Sequence, residues 1–77
     1  MLFLIEYDRS QGEVVTIREF DVSEREIAEN ARLDMELRLN DAGTEHEVVL
    51  LEAASQEALR RTHRRYFENL SELMKAS

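Results

Sequence analysis

The residues best suited to chemistry stand in one run, RRTHRRYF, from Arg60 to Phe67. Arg60, Arg61, Arg64 and Arg65 each carry a planar, permanently charged fork that fits a carboxylate or a phosphate. His63 stands between them, and histidine is the side chain whose charge changes nearest neutral pH. Tyr66 and Phe67 add the aromatic faces on which the bases of a single strand stack. Two functions follow from these types: an anion- or RNA-binding face built on Arg60, Arg61, Arg64 and Arg65, and a small-molecule pocket, of a sensor or an enzyme, around His63 and Tyr66.

Helical spacing splits the run into two features. On a helix the four arginines occupy the side opposite Leu59, Tyr66, Leu70 and Leu73. His63 falls within that apolar stripe, four residues from Leu59 and four from Phe67. The simplest reading of the arginines is a solvated face or a contact between copies. Glu57 is spaced to pair with Arg61 and Glu68 with Arg64, each pair contributing about 0.2–0.5 kcal/mol, and Glu24, Glu29 and Glu36 are further carboxylate counterparts. The simplest reading of His63 is a partly buried ring that needs a hydrogen-bond partner. The other histidine, His46, lies between Glu45 and Glu47. Two histidines and a carboxylate are a zinc-type donor set. The short ligand spacings of known metal motifs are missing, so no metal or other cofactor is expected.

Catalytic signatures are equally sparse. There is no cysteine. Ser10, Ser23, Ser55, Ser71 and Ser77 read as loop, helix caps, helix surface and terminus. Gly12 and Gly43 are the only glycines, which leaves no phosphate-cradling loop and no dinucleotide fingerprint. The expectation is a protein without catalytic activity.

The chain of 77 residues has a formal charge of −7, with nine arginines and one lysine. Such a balance argues against general nucleic-acid binding, which depends on neutralising phosphates. A domain of this size buries only about 60% of its unfolded surface and gains from association. One domain, 1–77, is expected. The N-terminal MLFLIEYD has no basic stretch before its apolar run, which argues against a cleaved export signal, and no apolar segment is long enough to span a bilayer. These features, with the lack of cysteine, point to the cytoplasm.

The elements that must position these residues follow from periodicity. Met1–Tyr7 is apolar on both alternating sets, as in a strand covered on both faces. The polar Asp8–Gly12 leads into the β-branched Glu13–Phe20, which completes a hairpin. Ser23 with Glu26 reads as a capping box that opens a helix over about Glu24–Asn40, closed by Gly43. Ile27, Ala28, Ala31, Met35 and Leu39 share its apolar face. Leu33 and Leu37 lie well round from that face and are expected to meet the second helix; the alternative is that they are exposed and mark a partner surface. Thr44–Ala53 holds a third strand, and Ser55 caps a second helix running to about Lys75. The order β-β-α-β-α predicts an α+β, two-layer sandwich: a three-stranded sheet of order 2-1-3 with both helices on one face. The second sheet face then lacks cover within the chain. A homodimer through that face, or through a strand edge, is therefore expected, and the function read from the sequence is a small interaction or accessory domain.

Overall fold

Leu2, Phe3, Leu4 and Ile5 are buried in succession, and this run sets the architecture of the computed structural model, which describes residues 1–67. They belong to β1 (Leu2–Asp8), the central strand of a three-stranded sheet. β2 (Glu13–Phe20) pairs antiparallel along one edge of β1, and β3 (His46–Glu52) pairs antiparallel along the other. The order β2-β1-β3 is the one the sequence predicts. Placing the most apolar strand between two partners satisfies its backbone on both sides and shields its side chains most completely.

The hairpin turns at Gly12, which takes a φ of 67° and donates its N–H to the Asp8 carbonyl at 2.8 Å. One Asp8 carboxylate oxygen accepts from the Ser10 and Gln11 N–H groups and from the Ser10 hydroxyl. The register slips once. Glu6 pairs with Thr16 and Tyr7 with Val14, so Val15 bulges out of the ladder and is left exposed.

α1 (Arg25–Ala42) is entered through a 3-10 turn at Val22–Glu24. The cap is not the expected Ser23–Glu26 pair but Asp21 with Glu24. The Asp21 carboxylate accepts from the Ser23 N–H at 3.0 Å, and Glu24 accepts from the Asp21 N–H at 2.9 Å. The tighter 3-10 turn moves the cap two residues towards the N-terminus. The end of α1 is as expected. Gly43, at φ 68°, donates to the Asn40 and Leu39 carbonyls, and the left-handed conformation carries no Cβ penalty in glycine.

The helix placement departs from the expectation. Leu2, Leu4 and Phe20 pack against Ala28 and Met35 of α1, with Ala31, Leu39, Val48 and Leu50 at the margin. Phe3 and Ile5 point the other way and pack against Leu59 of α2 (Gln56–Thr62), with Val49, Leu51 and Phe67. The helices thus cover opposite faces of the sheet, one each, and the expected arrangement of both on one face does not hold. The reason lies in β1 itself. Fully burying a large apolar side chain is worth about 1.5–3 kcal/mol, and both alternating sets of β1 have that to gain within one chain. The sheet face expected to drive a homodimer is consequently covered by α2.

α2 also ends sooner than expected. It is capped by Ser55, whose hydroxyl accepts from the Ala58 N–H at 3.1 Å, and stops at Thr62. His63 leaves helical geometry with φ −122° and ψ 51°, and a 3-10 turn follows at Arg64–Tyr66. The Thr62 hydroxyl donates to the Ala58 carbonyl at 3.0 Å, a competitor of the kind that bends helix ends. The expected continuation to Lys75, with Leu70, Leu73, Met74 and the Glu68–Arg64 pair, lies outside the described residues. No helix among the described residues is long and apolar enough to cross a membrane.

Candidate functional site

The break at His63 decides what the arginine run presents. Had α2 continued, Tyr66 would have stayed on a straight stripe above Leu59. Instead the 3-10 turn sets its ring edge-on against Tyr7, centroids 5.1 Å apart and planes at 87°. The Tyr66 hydroxyl donates to the Glu47 carboxylate at 3.2 Å. The Tyr7 hydroxyl donates to the Arg65 carbonyl at 3.4 Å. Tyr66 is buried, and edge-on aromatic pairing contributes about 0.5–1.5 kcal/mol beyond area burial.

Arg65 belongs to the same knot. Its guanidinium donates to the Tyr66 hydroxyl at 2.9 Å and to Glu47 at 3.3 Å, and it lies 4.7 Å from the Tyr66 ring centroid. The bond to Tyr66, and to a smaller degree the Glu47 carboxylate, raise Arg65 above the ordinary guanidinium value, so it remains charged. Arg61 pairs with Glu57 at 3.2 Å, one turn back on α2, as its spacing predicts. Arg60 lies 4.6 Å over the Phe67 ring. Arg60, Arg61 and Arg64 line a shallow surface with Phe67, while Arg65 turns to the β3 side. The four arginines therefore do not form one open face: three surround Phe67 and the fourth is held by Glu47 and Tyr66.

His63 is half-buried at the end of α2, its ring tilted 6.4 Å from that of Tyr66. A groove on this side runs along β2 from Gly12 to Ile17 and is walled by Arg60, Tyr66 and Phe67. His63 is not among the residues lining that groove, whereas Tyr66 is.

A second polar constellation, unremarked in the sequence, sits on the α1 side of the sheet. Glu6 and Asp8 alternate onto that face, and pairing sets His46 opposite Asp8. His46 Nδ1 meets Glu6 at 2.5 Å, and Nε2 faces Asp8 at 3.6 Å. Thr16 adds a hydroxyl to Glu6 at 3.5 Å. All three side chains are mostly buried, and among the described residues no buried side-chain polar atom lacks a partner. The hydrogen bonds from Ser10 hold the Asp8 carboxyl below the usual carboxylate range, with the bonds from the Gln11 and Ser10 backbone and the nearby His46 adding to the effect. The two histidines lie on opposite faces, since His46 belongs with Glu6 and His63 with Tyr66. The donor set of two histidines and a carboxylate is thus not assembled, and no group of three metal-ligating side chains suited to an ion occurs among the described residues. The signal that could have revealed Glu6, Asp8 and His46 is the hairpin register, since i, i+2 spacing puts both carboxylates on one face and antiparallel pairing supplies the histidine.

A third feature is apolar. Ile27, Leu33 and Leu37 of α1 are 57%, 53% and 55% exposed. Leu33 and Leu37 were expected to meet the second helix. That contact does not form, because α2 lies across the sheet from α1. Ile27 was expected to share the buried face and sits outside it instead. Ala28, Met35, Ala31 and Leu39 are enough to cover the sheet.

No family model, curated protein or solved structure matches this chain.

Proposed function

We propose that this chain is a small, non-catalytic, cytoplasmic interaction or accessory domain that binds another polypeptide through the outer face of α1. One observation carries the reading: both faces of the sheet are covered from within the chain, yet α1 still presents Ile27, Leu33 and Leu37 to solvent. Ile27 stands on the flank of α1 as a single exposed apolar residue of the ordinary kind, but Leu33 and Leu37 lie one turn apart on the side turned away from the sheet, and such an aligned apolar pair is the pattern of a docking surface. The pairing of Arg65 with Glu47, the Arg61–Glu57 pair and the stacking of Arg60 over Phe67 weaken the anion- or RNA-binding alternative.

Selection from a displayed peptide library tests this reading. The intact protein should enrich peptides that the double variant Leu33→Ser/Leu37→Ser fails to retain. Equal enrichment by both proteins, or none by either, would overturn it.

A homodimer through a strand edge is a second reading. It is favoured by β2, which has β1 as its one strand neighbour among the described residues and exposes Val15 and Thr16 beside its bulge. Light scattering during size-exclusion chromatography separates the two readings, since an edge dimer keeps twice the monomer mass in the Leu33→Ser/Leu37→Ser variant.

A further inference from the structure

We infer that the partner of α1 is a cationic amphipathic helix from a different protein, an inference that rests on the α1 docking surface proposed above. Asn30, Leu33, Leu37 and Asn40 are spaced three, four and three residues apart. This is the spacing of a seam along which a second helix packs side by side. All four are exposed, and they extend over about 15 Å at 1.5 Å per residue. The two leucines form an apolar centre with an asparagine at either end.

Charge selects the occupant. Glu29 and Glu36 lie along one side of the seam, Asp34 and Asp41 along the other, and Glu26 sits at its N-terminal end. Of the three arginines in α1, Arg25 is drawn to Glu52 at 2.6 Å and Arg38 to Asp34 at 2.9 Å. No ion pair among the described residues engages Glu26, Glu29, Glu36 or Asp41. A second copy laid on the seam would bring its own acidic borders against these, in either direction, and like charges at such flanking positions oppose pairing. Anionic lipid and nucleic acid are disfavoured on the same ground. A helix with a leucine stripe bordered by lysine or arginine satisfies both the apolar centre and the carboxylates.

The test uses three synthetic helical peptides and the intact chain. The first peptide carries leucines at alternating three- and four-residue spacing with lysines on both sides of the stripe. The second replaces those lysines by glutamate. The third keeps the composition of the first but scrambles the stripe. Fluorescence anisotropy at low and at moderate salt reads binding, and circular dichroism verifies that Leu33→Ser/Leu37→Ser and Glu29→Gln/Glu36→Gln fold. The first peptide should bind, weaken several-fold as salt rises, and weaken at least tenfold in each double variant, while the other two should not bind measurably. Failure of the first peptide to bind overturns the inference, as does equal binding of the scrambled peptide, equal binding of the acidic peptide, or a dimer in the free protein that the leucine variant dissolves. If library selection nevertheless yields peptides that depend on Leu33 and Leu37 but are not basic helices, the docking surface stands and the partner chemistry inferred here is wrong.

Discussion

Tyr66 does more for the α2 side of the sheet than any of the arginines around it. Its ring meets Tyr7, and its hydroxyl joins Arg65 to Glu47. Tyr66→Phe keeps the ring and removes the hydroxyl, so it should cost about 0.5–1.5 kcal/mol in urea unfolding. Tyr66→Ala should cost about 3–5 kcal/mol, because it also opens the packing. His63→Leu should be neutral or stabilising if the ring serves only to fill the end of α2. Two carboxylates set an acid limit on stability. Ser10 holds Asp8, and Ser23 holds Asp21, below the ordinary value of 3.8. A depressed carboxyl stabilises the native state fully above its unfolded value and ceases to do so as pH falls through its native one. Stability measured by urea titration should therefore be level in these two terms above pH 5 and decline below about pH 4. Asp21→Asn should flatten part of that decline.

The elements show which side chains hold the fold and which are free for other work. Met35 is buried against the sheet while Leu33 and Leu37 stand outside it on the same helix. Met35→Ala should cost about 2–5 kcal/mol, whereas Leu33→Ser and Leu37→Ser should each stay within about 0.5 kcal/mol of the parent. A comparison of their thermal midpoints checks both. Gly43→Ala isolates the backbone at the end of α1. An added Cβ would meet nothing within 4 Å, yet φ is 68°. The expected loss is the left-handed strain alone, about 1–2 kcal/mol.

At the scale of the whole molecule, strand order and the two helices were legible because alternation in β1, β-branching in β2 and the apolar run in β3 are local signals. Which face each helix takes was not legible, since nothing within α2 names the face it will cover. The decision comes from β1, where Phe3 and Ile5 are as apolar as Leu2 and Leu4 and must be buried somewhere. The end of α2 was hidden for a related reason. RRTHRRYF contains no glycine or proline to mark an end, and the turn after Thr62 sets Tyr66 on Tyr7 and Glu47, tertiary contacts that no spacing within the run foretells. The cluster of Glu6, Asp8 and His46 needed the register of two strand pairs before its members could be seen together. The arginines were conspicuous in the sequence, yet the structure divides them between two directions.

The central claim is that one chain covers both sheet faces and leaves the outer face of α1 for a partner. Methyl resonances of the dilute protein, recorded with an inert soluble paramagnetic probe, test it most directly. Leu33, Leu37 and Ile27 should be strongly broadened, while Leu2, Leu4, Ile5 and Leu59 should be protected. Protection of Leu33 and Leu37 in the free protein, or broadening of Ile5 and Leu59, would contradict it.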